Sequence, residues 1–296
     1  IVARLDFSMT PTIRAAIWMI GAITAFTLMA IAGRAAAFDL DVFEIMLYRS
    51  VVGFCIVLSV AFATGNLHQI SRDRLGLHFA RNVGHFIGQN LWFFAITVIP
   101  LAQVFALEFT TPIWVILLSP LILGERITKI GALAAVVGFI GILIVARPDF
   151  QNLNAGLVAA ALCAIAFAMT AILTRKLTRT ASITCILFFL TAMQAIFGLI
   201  CAGIDGDIAL PSLQSLPWVV IIGLAGLSAH FCLTNALSIA PASVVMPIDF
   251  ARLPIIAIVG IVLYAEPIDA LVLVGGAIIF AANYVNLNFG QAKAPN

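Results

Sequence analysis

The chain places acids, bases and imidazoles inside segments that are otherwise apolar enough for hydrocarbon. The stretch DFARLP, residues 249–254, lies between SVVMPI and IIAIVGIVLY, and EFTTP, residues 108–112, lies in a similar setting. An ionisable side chain at membrane depth costs on the order of 3 kcal/mol, so it faces a cavity or a partner. Asp249 and Arg252 are three residues apart on one helical face and can neutralise each other. Alternatively, Arg252 can hold a substrate carboxylate while Asp249 or Glu108 holds an ammonium group. Thr111 and Trp114 follow Glu108 near the midplane, and Pro112 and Pro254 each remove a backbone donor and bend the chain. Upstream, Arg81, His85, Gln89 and Trp92 follow steps of four, four and three, which sets them on one helical face. Asn82 and Asn90 flank that face, and Arg81, closest to its end, is expected to snorkel out. His230 and Asn235 add polar groups in a later apolar run, and Glu44, Tyr48 and Arg49 are close enough for a local pair. The chemistry these groups offer is recognition by hydrogen bonds and ion pairs. The sequence has no HExxH, GxSxG or Walker A pattern and no zinc spacing among its His residues, so no enzyme, metal or cofactor is expected.

The elements that carry these residues follow from composition. With 63% hydrophobic and 9% charged residues and a mean hydropathy of +1.17, the bilayer must be the solvent. Apolar segments give ten spans: 13–35, 43–64, 75–97, 100–123, 127–146, 154–175, 182–204, 216–238, 241–264 and 267–288. The first has the length of a span rather than of a cleavable leader. The five cysteines sit in apolar runs and are expected to be small core residues. Of the 15 basic residues, Arg49, Arg81 and Arg252 lie well inside spans and the other twelve at or beyond span ends. If the N-terminus is cytoplasmic, Arg4, Arg14, Arg72, Arg74, Arg126, Lys129, Arg175, Lys176, Arg179 and Lys293 share that side, against Arg34 and Arg147 on the other. The acids Asp39, Asp41, Asp149, Asp205, Asp207 and Asp269 also fall on the second side. The bias puts both termini in the cytoplasm. Scattered basic residues form no stripe for nucleic acid.

Sliding the sequence by 141 residues lays Phe26 on Phe167, Ala30 on Ala171, Arg34 on Arg175, Pro100 on Pro241, Glu108 on Asp249, Phe109 on Phe250 and Glu125 on Glu266. The halves, 11–147 and 152–288, are therefore expected to be a duplication. Five spans per half make the second copy inverted. Inverted repeats place a substrate site near the midplane, where the copies meet.

Ten spans in two five-helix repeats, with LGERIT at 123–128 and its echo YAEPID at 264–269, resemble the EamA type of the drug/metabolite transporter superfamily. The resemblance covers essentially the whole chain. It implies an all-α membrane protein of ten transmembrane helices in two inverted five-helix repeats, working by alternating access in the bacterial inner membrane. Its partners are the lipid bilayer and a small-molecule substrate. Within that superfamily the chain is similar to bacterial exporters of aromatic or neutral amino acids, which makes amino acids the first expected solute. Nucleosides, S-adenosylmethionine and sugar derivatives are alternatives, and an intramembrane enzyme or lipid-handling scaffold is the rival class. The expected site joins His85, Gln89, Trp92, Glu108, Thr111, His230, Asp249 and Arg252.

Overall fold

A computed structural model describes residues 10–99, 101–125, 127–146, 154–204, 206–264 and 270–289. Pro100, Arg126 of LGERIT, residues 265–269 with Glu266 and Asp269, and Arg4, Arg147, Asp149, Asp205 and Lys293 lie outside these residues. The ten expected spans are present as helices, two of them broken. The first three are α1 (Pro11–Ala36), α2 (Val42–Ala63) and α3 (Leu75–Val98). The fourth is split into α4 (Leu101–Glu108) and α5 (Thr111–Leu123), and the fifth is α6 (Lys129–Ala146). The second half repeats the order with α7 (Ala155–Leu177), α8 (Ile183–Ala202) and α9 (Leu216–Ile239). Its fourth member is again split, into α10 (Ala242–Ile248), a 3₁₀ turn at Asp249–Ala251 and α11 (Arg252–Tyr264), followed by α12 (Ala270–Phe289).

Local chemistry sets several of these boundaries. Asp41 accepts from the Glu44 amide at 2.8 Å while Glu44 accepts from the Asp41 amide at 2.9 Å, a reciprocal cap that starts α2. Asn154 and Ser182 cap α7 and α8 in the same one-way sense. Among the described residues five helices, α1, α2, α7, α8 and α9, are long and apolar enough on their own to cross a membrane. The polar row of α3 and the breaks in the fourth and ninth spans account for the absence of those three.

The strongest helix pairings are α1 with α9, α3 with α7, α2 with α8 and α6 with α12. Each joins one half to the other. Exchanging the halves turns the first pairing into the second and leaves the other two unchanged, as a two-fold relation requires. Small residues permit the approach: a Cβ on Gly198 would stand 2.9 Å from the Leu47 backbone, and one on Gly141 would stand 2.9 Å from the Gly275 carbonyl. Counting spans puts the start of α1 and the end of α12 on one face of the bundle, called here the terminal face. On the opposite face Asp39 accepts from Ser215 Oγ at 2.5 Å and from the Ser212 amide at 3.1 Å, pinning the α8–α9 connector. Those hydrogen bonds hold the Asp39 carboxyl below its ordinary range.

Two packed layers close the interior. Toward the opposite face the core carries Trp92, Phe93, Phe105, Phe109 and Phe250. Toward the terminal face a second cluster is built from Ala15, Met19, Ala168, Ala236, Val245 and similar residues, and none of its described fully buried members is a Phe, Tyr or Trp.

Candidate functional site

Between these layers lies a cavity, partly open to the outside. Its walls come from α1, α3, α7 and α9 and from both broken spans. All eight expected residues line it: His85, Gln89 and Trp92 from α3, Glu108 and Thr111 from the fourth span, His230 from α9, and Asp249 and Arg252 from the ninth.

The break in the fourth span has a direct cause. Pro112 cannot donate to the carbonyl four residues back, which belongs to Glu108. Thr111 Oγ1 takes over, 2.6 Å from the Glu108 carbonyl oxygen and 3.1 Å from that of Ala164. Glu108 then points inward. Its Oε2 accepts from Trp92 Nε1 at 2.6 Å and its Oε1 from Arg252 Nη2 at 2.5 Å. The same Nη2 donates to Asp249 Oδ2 at 2.8 Å. The i,i+3 pair expected from the sequence is therefore one arm of a three-group cluster that bridges the repeats. Three rings surround the guanidinium, with its carbon 5.2, 5.5 and 5.0 Å from the centroids of Phe26, Phe105 and Phe109. Arg252 Nε and Asp249 Oδ1 are buried without a partner.

On the terminal side of this cluster, His85 and His230 meet edge to face with centroids 4.6 Å apart. Phe26 packs on His230 at 5.5 Å and Phe167 on His85 at 6.2 Å. These two phenylalanines are the identical residues at the 141-residue offset. None of the four imidazole nitrogens has a protein partner in full hydrogen-bond geometry, although the Gln89 side chain lies close enough to His85 to interact with it. Buried polar atoms are normally satisfied by protein or water, and each neutral imidazole offers one donor and one acceptor, so this wall can exchange hydrogen bonds with water or with a bound group.

Several sequence expectations need correction. Arg81 does not snorkel; it is 2% exposed, lines the cavity and donates from Nε to Thr174 Oγ1 at 3.0 Å and from Nη1 to Asn82 Oδ1 at 2.9 Å. The close α3–α7 packing supplies that acceptor, and local spacing does not reveal it. Trp114 is 37% exposed, because the inward row of α5 is Thr111, Pro112, Val115, Ile116 and Ser119. Glu44 does not pair with Arg49: it is occupied by its cap and by the Ala209 amide. Arg49 instead donates to Gln89 Oε1, and Tyr48 donates to the Ala209 carbonyl at 2.7 Å. Cys163 and Cys185 are buried, but Cys55 is exposed and Cys201 and Cys232 are half-buried. Asn235 is half-buried and bonds the Phe231 carbonyl. Among the described residues no group of three His, Cys, Asp or Glu side chains is placed to hold a metal. Sequence reasoning missed Phe26, Phe167 and the methionines Met19, Met29 and Met246 as lining residues. For the phenylalanines the repeat itself was the available signal.

An all-helical membrane bundle of two interlocked repeats, with broken helices around a central cavity, defines the architecture of a solute carrier. The chain belongs to the EamA-like transporter family, whose model matches residues 13–147 and again 154–288. It is 30% identical over 243 residues to a protein named riboflavin transporter from Brucella anthropi, covering 81% of this chain and 85% of that one. It is 27% identical to a protein named S-adenosylmethionine uptake transporter from Rickettsia felis, covering 81% of each chain. A riboflavin transporter from Vibrio cholerae is 25% identical over 90% of each. A protein of known crystal structure superposes with a TM-score of 0.78 at 16% identity, covering 93% of this chain and 97% of that one, which establishes likeness of fold.

Proposed function

We propose that this protein is a secondary transporter of a small organic solute with a flat heteroaromatic ring, moved by alternating access across the bacterial inner membrane. The observation that carries this reading is the cavity at the repeat interface, walled by aromatic rings and by imidazoles with unpartnered nitrogens. Ligand sites of this kind are mostly apolar, with a few polar groups that fix orientation. The relatives' names support the ring: riboflavin and S-adenosylmethionine each join a heteroaromatic system to a polar tail. Amino acid export, the first expectation from the sequence, finds no support in those names. Arg252, the expected hook for its carboxylate, is already held by Glu108 and Asp249. Arg81, whose hydrogen-bond partners Thr174 and Asn82 are both neutral, favours aromatic amino acids as the second reading. The basic bias of the flanks supports cytoplasmic termini.

Rocking one repeat against the other would open the cavity to either side in turn. The aliphatic terminal-face layer interlocks fewer rings than the aromatic layer opposite, so the terminal face is the one we expect to part first. The test is counterflow in proteoliposomes with labelled riboflavin, S-adenosylmethionine, tryptophan and phenylalanine. Riboflavin or S-adenosylmethionine exchange supports the first reading, and tryptophan or phenylalanine exchange alone supports the second. No exchange of any of the four, from protein shown to be folded, would sink both.

A further inference from the structure

Two carboxylates, Glu108 and Asp249, converge on one nitrogen of one guanidinium. They come from equivalent positions of the two repeats, yet the residue equivalent to Arg252 in the first repeat is Thr111, so a single cation serves both acids. With both acids ionised, the cluster carries one uncompensated negative charge among buried rings. Desolvation makes such a charge costly, and the attraction of the guanidinium is already shared with the faces of Phe26, Phe105 and Phe109.

The other cations of the interior do not relieve this. Arg81 bonds Thr174 and Asn82, and Arg49 bonds Gln89, both on the side of His85 and His230. Among the described residues the charged groups that act on Asp249 are few. Arg252 comes from α11, Glu108 from α4, and Cys163 of α7 lies within electrostatic reach of Glu108 and Arg252. The sequence of α10 has no titratable residue, α1 brings Phe26, and the titratable residue of α12, Tyr284, is exposed near its end.

The two acids differ in how their oxygens are used. Both oxygens of Glu108 accept a charge-compatible hydrogen bond, from Trp92 and from Arg252. Asp249 Oδ2 accepts from Arg252, but Asp249 Oδ1 is buried and bare in a residue that lines the cavity. We propose that the Glu108–Arg252–Asp249 cluster is a proton-binding site, with one proton carried on Asp249 Oδ1, and that its release and uptake are coupled to solute movement. The proton makes the cluster neutral. Its departure leaves Oδ1 as an ionised acceptor on a residue that lines the cavity, where a hydrogen-bond donor or cationic group of the solute that reaches it can replace the proton. Proton and solute thus compete for one oxygen atom. The coupling half of this inference rests on the transporter reading; the proton-binding half does not.

The experiment has two arms. Infrared difference spectra of the purified wild-type protein, taken without solute as the pH is lowered through the neutral range, should show a carboxylic C=O band. That band should shift in protein labelled with side-chain ¹³C-aspartate and stay in place with ¹³C-glutamate. It should vanish in Asp249→Asn and also in Glu108→Gln, because each substitution leaves a one-to-one ion pair. Absence of the band in the wild type overturns the proposal, and a shift with labelled glutamate overturns its assignment to Asp249. In the second arm, proteoliposomes with trapped pyranine report protons moved per riboflavin, or per whichever of the four counterflow solutes is exchanged. The wild type should move protons with solute, and the ratio should fall to zero in Asp249→Asn whatever rate remains. Solute exchange without proton movement in the wild type overturns the coupling. Failure of all solute exchange instead overturns the transporter reading and leaves the infrared result standing on its own.

Discussion

The fourth and ninth spans break at equivalent positions and resolve the break differently. In the fourth, Pro112 strands the Glu108 carbonyl, and the Thr111 hydroxyl satisfies it locally. In the ninth, the 3₁₀ turn at Asp249–Ala251 absorbs the break, and the residue equivalent to Thr111 is Arg252, which reaches across the repeat interface to Glu108. One repeat settles its polar debt within its own backbone, whereas the other extends a charge to its twin. Duplication supplies two similar frames. Divergence at one position, Thr111 against Arg252, converts the meeting point of those frames into a three-group ion cluster.

If that asymmetry holds the repeats together, Arg252→Leu should produce the largest loss. It leaves two buried carboxylates without their cation, and breaking a buried pair from one side costs about 3–5 kcal/mol. Unfolding in detergent should show that loss. Arg252→Leu combined with Glu108→Leu and Asp249→Leu should recover much of it. Equal instability of the single and triple variants would mean that packing, not charge, sets the cost. Next in size is Trp92→Phe, which keeps a ring but removes the donor to Glu108 Oε2. Hydrogen bonds to charged groups contribute about 1.5–3 kcal/mol, and the same unfolding measurement should register a loss in that range. A loss near zero would show that Glu108 does not depend on Trp92.

A third test separates the two phenylalanines that follow the acids. Phe250 sits against α6, where a Cβ on Gly138 would stand 2.7 Å from two of its ring carbons. Gly138→Ala should therefore cost about 1–3 kcal/mol through overpacking. Among the described glycines none stands in this way against Phe109, so the fourth-span break has no such notch. Suppressing the defect with Phe250→Leu, read as recovered melting temperature, would place the strain at the ninth-span break. Persistence of the defect would place it elsewhere.

How much of this was legible beforehand depended on distance along the chain. The ten spans follow from runs of apolar residues, and the repeat follows from two matched pairs of acids and one matched pair of prolines. All four residues of the four-four-three row on α3 line the cavity, Arg81 included although it was expected to snorkel, because side-chain direction on a single helix follows from spacing. Contacts between spans were not legible. Nothing near Arg81 in sequence names Thr174, and nothing near Arg49 names Gln89. Arg252 was paired with Asp249, its neighbour on the helix, while its bond to Glu108 lies 144 residues away. Trp114, placed by the sequence only near the midplane, shows a different limit, since it is 37% exposed. In lipid the outward face of a helix is as apolar as the inward one, so an aromatic near the midplane carries no sign of which side it takes.

The smallest expected effect belongs to the quieter break. Thr111→Val keeps the branched shape at Cβ and deletes one hydroxyl. That hydroxyl has a single hydrogen and two carbonyl acceptors in reach, Glu108 at 2.6 Å and Ala164 at 3.1 Å, so one hydrogen bond is lost. The net cost should be about 0.5–1.5 kcal/mol, well below that of Arg252→Leu at the equivalent position. Transport separates the roles further. If Thr111 only satisfies the backbone, the exchange rate per folded molecule should fall little, and the apparent affinity for the transported solute should hold. If the hydroxyl also contacts solute in the cavity it lines, affinity should weaken by more than stability does. A loss of stability as large as that of Arg252→Leu would break the comparison itself. It would mean that the break in the fourth span depends on Thr111 as heavily as the repeat interface depends on Arg252.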